Sequence, residues 1–229
     1  MTTPEDSIGY RGPDTAQWEV TEVPGRRRRV TVRHRPLAGL HPQDLLWWWS
    51  HVEGTCLVDG LLMTRFRAWH PRDHVLWEPV RVGSDGLLGP GSRVRVVEAF
   101  DADPDQRVDV VERVERLDER GVRLVRRRFG LTVATVQHSW STGHRGTECV
   151  SVLEVGSPLP GTGPLNLAMT RRALPVSVCR AWVRHTVEET GRLECLVPAA
   201  RQASSAADTT SRASACTCAR CSGPRKDSA

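Results

Sequence analysis

From Arg93 to Val155 the chain runs through valine-rich stretches that partly alternate with charge, and one long helical stretch comes after them. That order constrains the fold more than any other feature. Arg93 to Phe100, Arg107 to Leu117, Val122 to His138 and Glu148 to Val155 carry the β-branched, half-alternating pattern of strands. Asp118-Glu-Arg-Gly121 and Ser141-Thr-Gly-His-Arg-Gly146 supply turn chemistry between consecutive strands, so an antiparallel meander is the economical topology. After a Pro- and Gly-containing loop at 156–164, helical character is expected over Leu165 to Arg172 and again from Pro175 to Leu196, with Pro175 opening or kinking the last helix. The fold class that follows is α+β: a curved antiparallel sheet wrapped around a long C-terminal helix, with a pocket between them.

Residues 1–24 are polar and punctuated by Pro and Gly, which reads as an irregular lead. Residues 202–229 are rich in Ser, Ala, Thr and Arg with almost no large apolar side chain, which reads as a disordered tail. The folded unit is expected over 25–201, a length suited to one domain. Pro42 to Val52 reads as a short helix, with Pro in its first turn and Gly54 beyond its end. Its three adjacent tryptophans, Trp47, Trp48 and Trp49, point in different directions, so at least one should face a partner or a cavity.

The 32 basic and 27 acidic residues leave a formal charge of +5, with much of the excess in Arg26 to Arg29 and the C-terminal tail. Balanced charge elsewhere argues against a dedicated nucleic-acid surface, and the arginine run reads as a solvated strand start or loop. An odd count of seven cysteines and no apolar leader fit a reducing cytoplasm, with Cys56, Cys149, Cys179 and Cys195 as small core residues. No apolar run approaches the roughly 20 residues needed to cross a bilayer. Cys216-Thr-Cys-Ala-Arg-Cys221 offers only three sulfurs and no matching second half, so no structural metal is expected there.

The chemistry is concentrated elsewhere. On the last helix Val178, Trp182, His185 and Glu189 fall on one stripe that should face inward. An imidazole and a carboxylate on an apolar stripe each need a partner, and a divalent metal satisfies both at once; a hydrogen-bonded buried pair or a solvated helix face are the plainer alternatives. Far upstream, His70-Pro-Arg-Asp-His74 offers a further nitrogen from His70 or from His74. Strict alternation in Val94-Arg-Val-Val-Glu-Ala-Phe100 puts Glu98 on the apolar side with Val94, Val96 and Phe100, where a carboxylate requires a cation, a donor or a proton. Two nitrogens and two carboxylates suit Zn2+, and Mn2+ or Fe2+ would also be accepted. Asp73 could orient a histidine, bind substrate or cap a turn. His138, near a strand end, is either a proton-transfer group at the pocket rim or a surface histidine.

Two segments resemble the signature regions of the 2,4-diacetylphloroglucinol hydrolase family, which includes phloretin-hydrolase-type enzymes. They are Trp69-His-Pro-Arg-Asp-His74 followed by Trp77, and Arg184-His-Thr-Val-Glu-Glu-Thr-Gly-Arg-Leu-Glu-Cys-Leu-Val-Pro198. The order of elements is similar over roughly residues 40 to 200. The resemblance implies a Bet v 1-like helix-grip fold, a zinc ion held by His70, Glu98, His185 and Glu189, a nonligand histidine at His138 and a substrate-contacting group at Asp73. It implies a hydrolase that cleaves the carbon-carbon bond between an acyl group and a phenolic ring. One departure is plain: the family binds substrate oxygens with pocket tyrosines, whereas this chain has a single tyrosine, Tyr10, far from either segment.

The expected reaction is a hydrolytic retro-Claisen cleavage, in which the ring takes up a proton at the acyl-bearing carbon and leaves as a stabilised enolate. The metal would polarise the acyl carbonyl or lower the pKa of water from about 15.7 towards about 7. His138 would shuttle the proton, and tryptophans would stack on the ring. The expected partner is a small aromatic acyl-phenol, with no nucleic acid and no membrane; a homodimer is left open. The alternative expectation is a carrier or sensor that holds a hydrophobic aromatic or polyketide ligand and performs no chemistry.

Overall fold

The computed structural model describes residues 10–58, 61–84 and 86–207. In chain order the elements are β1 (Gln17–Val23), β2 (Arg27–Arg33), α1 (Pro42–Ser50), β3 (Thr55–Val58), β4 (Leu61–Thr64), α2 (Arg65–Trp69) and β5 (His74–Arg81). They continue as β6 (Arg93–Ala99), β7 (Arg107–Asp118), β8 (Gly121–Arg128), β9 (Leu131–Gly143), β10 (Gly146–Val155), α3 (Gly163–Ala173) and α4 (Val176–Ala207). Eight strands form one antiparallel sheet in the order β1-β2-β10-β9-β8-β7-β6-β5, and β3 and β4 form a separate hairpin. From β5 to β10 the sheet is the expected meander. The N-terminal hairpin β1-β2 then docks on β10, where Arg33 lies opposite Val150 and Arg28 opposite Val155.

α4 lies in the grip of this sheet. Ala181 to Val183, His185 to Thr190 and Leu196 to Val197 are all buried, so the helix is enclosed on more than one side. Its inner face meets the sheet. The outer face is covered partly by the N-terminal segment, whose Arg11 pairs with Glu194 at 2.6 Å and leaves no room for a Cβ at Gly191. Tyr10 stacks on His70 at 4.8 Å between ring centroids, and the guanidinium groups of Arg72 and Arg192 lie over the same ring. This arrangement, one antiparallel sheet closed around a long C-terminal helix, is the helix-grip fold of Bet v 1-like proteins.

Several sequence expectations need correction. The lead expected to be irregular holds β1, which pairs with β2 through Glu22 opposite Arg28 and Val20 opposite Val30. Its alternating Trp18 and Val20 are legible as a strand only once the arginine run supplies a partner. That run starts β2, and Arg27 and Arg29 both pair with Glu154. Val122 to His138, expected as one strand, is broken into β8 and β9 by the two-residue turn Phe129-Gly130, both at positive φ (49° and 78°) as a tight hairpin demands. The last helix continues past Leu196 to Ala207 with Pro198 inside it, because burial of Val197 and Ala200 against the α1 side of the core outweighs the lost backbone bond. β3, β4, β5 and α2 were not expected. Cys56, Cys149 and Cys179 are buried as expected, whereas Cys195 is disulfide-bonded rather than a plain core residue. The tail from 208 onward, with its Cys216 to Cys221 segment, lies outside the described residues. No helix among the described residues is long and apolar enough to cross a membrane.

Phe129 is fully exposed and holds a left-handed backbone that a bulky side chain disfavours by roughly 1 kcal/mol. Phe129→Asn is therefore expected to stabilise the fold by about 1 kcal/mol, seen as a rise of about 2–4 °C in a thermal melt. An unchanged or lower melting temperature would mean that the turn is not strained.

Candidate metal centre

Three elements bring donors to one point. α2 is a single turn capped by Thr64, whose hydroxyl oxygen accepts from the Arg67 amide, and it ends at His70. The chain then folds back on itself, with the His74 amide donating to the His70 carbonyl at 2.8 Å and the Ala99 amide donating to the Asp73 carbonyl at 2.8 Å. This tie to the end of β6 sets His74 opposite Glu98 in the β5-β6 ladder. α4 supplies His185 and Glu189, one turn apart.

The His74 Nε2 atom lies 3.7 Å from Glu98 Oε1 and 3.5 Å from Glu189 Oε2. The His185 Nε2 atom lies 3.9 Å from Glu98 Oε1 and 3.7 Å from Glu189 Oε2. These separations are long for hydrogen bonds and a few tenths of an ångström longer than the edges of a tetrahedron built on metal-ligand bonds of about 2.0–2.1 Å. The donor atoms of His74, His185 and Glu189 all lie within 4.8 Å of one another, and Glu98 stands beside both histidines. The other atoms of these side chains are engaged elsewhere. His74 Nδ1 donates to the Phe66 carbonyl at 2.7 Å, which leaves Nε2 as the lone-pair nitrogen; that atom is buried and has no hydrogen-bond partner. His185 Nδ1 donates to Asp73 Oδ2 at 3.0 Å, and Glu189 Oε1 accepts from the Thr186 hydroxyl at 3.2 Å. An orphaned buried imidazole nitrogen, two carboxylate oxygens and two histidines with their outer nitrogens tied down fit a divalent cation.

The structure brings Glu98, His185 and Glu189 together around His74, while His70 stands with Asp73 and His185 in a second, adjoining group of donors. His70, the residue favoured by the family resemblance, has both ring nitrogens engaged on the Glu188 side. Its Nε2 is 2.9 Å from Glu188 Oε2, and its Nδ1 accepts from the Asp73 amide at 3.2 Å. Asp73 is fully buried and its carboxylate is taken up by His185 and by Arg72 at 3.2 Å, so it orients a histidine and has no contact with the cavity. The expected substrate contact at Asp73 is thus not supported. Behind these residues Arg72 pairs with Glu188 at 2.6 Å, and Arg184 pairs with Asp101. Arg72, Arg184 and Glu188 carried no recognisable spacing signal, since each looks like one more charge on a helix or loop.

Electrostatics follow from this geometry. Burial pushes Glu98 above the usual carboxylate range, with Glu189 and Asp73 pushing the same way and the histidines opposing. Burial would also raise Glu189, but His185 and His74 outweigh it and hold it down at about 2. For His185 burial lowers the pKa, while Glu189, the Asp73 hydrogen bond and Glu98 raise it to about 9. Burial drives His70 and His138 below the ordinary imidazole value.

Glu98, His185 and Glu189 line a cavity of about 450 Å³ whose walls also include Trp49, Trp69, Trp77, Val96, Leu124 and Trp182. Trp49 is the member of the tryptophan triplet that reaches it; its ring meets Trp69 at 5.2 Å and Trp77 at 6.0 Å. Tyr10 lies outside, on the far side of His70. The lining also includes Phe129 at the β8-β9 turn and Leu165 on α3, both exposed. His138 lines the cavity, with its Nδ1 bonded to the Ser151 hydroxyl at 2.8 Å and its ring 5.5 Å from Trp49. Ser151 also meets His34 Nε2 at 2.8 Å and Thr186 at 3.4 Å, a polar network that the sequence did not disclose.

No family model matches this chain, and neither does any curated relative. Solved structures with a similar fold include protein TTHA0849 from Thermus thermophilus, at 18% identity over 75% of this chain and 98% of that one, with a TM-score of 0.49. A START superfamily protein from Mycobacterium smegmatis matches at 16% identity over 72% of this chain and 98% of that one, TM-score 0.41. Major latex-like protein 151 from Panax ginseng matches at 10% identity over 69% and 97%, TM-score 0.41. These are likenesses of shape alone.

Proposed function

We propose that this protein is a metal-dependent hydrolase that cleaves the carbon-carbon bond between an acyl group and a phenolic ring. The observation that carries the proposal is the convergence of His74, Glu98, His185 and Glu189, with histidine-to-carboxylate separations of 3.5–3.9 Å, the last three of them lining an apolar cavity. These four residues would hold the cation, Zn2+ by donor type, with Mn2+ or Fe2+ compatible. When bound, a divalent cation supplies Lewis acidity to an acyl carbonyl and makes water a nucleophile near neutral pH. The chain's own residues do the rest. Trp49, Trp69 and Trp77 offer aromatic faces for the ring and exclude bulk water around it. His138, anchored through Nδ1 to Ser151, leaves its other nitrogen to exchange a proton with the ring carbon that becomes the enolate. Asp73 and the Phe66 carbonyl keep both histidines in the tautomer that presents Nε2 to the centre.

A second reading has its own support: the cavity is mainly apolar and no tyrosine lines it, which suits a carrier or sensor of a hydrophobic aromatic ligand. Elemental analysis and a screen of acylated phenols separate the two. Near one equivalent of metal and release of the free acid are expected of a hydrolase, and His185→Ala is expected to lose both; full metal content in that variant would remove the assignment. A wild-type protein that binds aromatic ligands without metal and without product would make it a carrier.

Asp73→Asn is expected to reduce metal affinity by about 10–100-fold in a chelator competition titration while the fold persists, because the amide disturbs the hydrogen bond that orients His185. Unchanged affinity would show that Asp73 does not tune the centre.

A further inference from the structure

Three charged side chains of the cavity lining, Glu112, Arg126 and Arg128, take no part in the chemistry above. Glu112 on β7 and Arg126 on β8 both line it. The β7-β8 ladder ends with Arg113 opposite Val125, so Glu112 and Arg126 are the next residues along the two strands and turn to the inner face together. Arg126 lies opposite Ala134 of β9, which also lines the cavity. Among the described residues neither Arg126 nor Glu112 comes within hydrogen-bonding or ion-pairing reach of a partner. Burial is graded along the wall: Arg128 is exposed, Arg126 half-buried and Glu112 buried.

A cation set in an apolar wall with no paired anion is costly. Burial lowers the pKa of Arg126, and the like charge of Arg128 adds to this while Glu112 opposes it. The neighbouring carboxyl does not resolve the imbalance, since burial and Glu98 push Glu112 up to about 7 and favour its protonated form. A neutral carboxylic acid beside a desolvated guanidinium presents hydrogen-bond donors from both groups to one region of the cavity. Of the other charged groups of the lining, Arg128 is exposed, and Glu98, His185 and Glu189 belong to the donor cluster.

We propose that Arg126, with Glu112 beside it, forms an anion-recognition subsite that binds an acidic oxygen, carboxylate or phenolate, on an aromatic ligand whose ring occupies the tryptophan-lined part of the cavity. A planar guanidinium suits either form and pairs with a carboxylate in bidentate fashion. The subsite stands independently of whether catalysis occurs. Combined with the proposed function, on which only this further step rests, it narrows the substrate class to acylated phenols carrying an acidic oxygen away from the scissile acyl group. It also gives substrate oxygens a polar partner in a cavity without tyrosine.

The test is a fluorescence titration of the full chain at pH 6, where Glu112 is mostly protonated and an aryl carboxylate is ionised, using the cavity tryptophans as reporters and 4-biphenylcarboxylate and its methyl ester as probes. The wild-type protein is expected to bind the carboxylate about tenfold or more tightly than the ester. Arg126→Met is expected to reduce that preference to within about twofold by weakening the carboxylate alone, and Arg126→Gln serves as the second variant if the Met protein does not fold. Equal affinity for the two probes in the wild-type protein, or an undiminished preference for the carboxylate in a folded Arg126 variant, would overturn the proposal. Metal content and turnover of the same samples report on the hydrolase separately, so a metal-free protein that still discriminates the probes would sink the hydrolase and leave the subsite standing.

Discussion

The burial of His185 and Glu189 on the gripped face of α4 is the constraint around which the rest of the structure is arranged. An unpaired ionised group in such a place destabilises a fold by several kcal/mol, well beyond the contribution of an exposed ion pair. The chain meets that demand in two layers. His74 and Glu98 arrive from the sheet to face the two helix residues, and Asp73, the Phe66 carbonyl and Thr186 satisfy the outer atoms. What remains is inward-pointing: the two Nε2 atoms and two carboxylate oxygens, in which a cationic His185 beside Glu189, or a bound cation, offsets the carboxylate charge.

The second layer also explains why the 70–74 segment has its conformation. Glu188, one residue before Glu189 on α4, points to the other side of the helix and captures His70 and Arg72. That contact draws the loop against the helix and leaves His74, rather than His70, turned toward the centre. Phe66 completes the placement by stacking on the His74 ring at 3.8 Å with the planes nearly parallel. The N-terminal segment adds a lid to this layer through Tyr10. A strap across the outside of α4 thus shields polar groups that would otherwise compete with water.

Much of this was legible in residue order, and the reasons for success and failure are physical. Period-two alternation placed Glu98 on the cavity side, since its neighbours Val94 and Val96 are apolar and buried, and helical spacing placed His185 with Glu189. Those signals are local. The choice between His70 and His74 depends on Glu188 more than a hundred residues away, and no local pattern encodes it. β1 was missed because an edge strand has little apolar content of its own and borrows its stability from β2. The break at Phe129-Gly130 was missed because a phenylalanine at positive φ is not a recognised turn residue. The last helix, expected to stop at Leu196, runs on through Pro198 because tertiary burial of Val197 and Ala200 carries it.

The separation of elements has a consequence for specificity. His74 and Glu98 are tied by the β5-β6 ladder and the Ala99-to-Asp73 backbone bond, and His185 and Glu189 sit on a helix enclosed on more than one side. Their relative positions therefore depend little on the side chains of β7, β8 and β9 that line the rest of the cavity. Substitutions at Val110, Leu124 or Arg126 can alter the volume and charge available to a ligand without moving the four donors. Ligand choice and donor geometry are thus carried by different parts of one sheet. The unpaired Arg126 is compatible with such a division, because a charge maintained for a ligand can be retained only where its cost does not fall on the residues that hold the centre together.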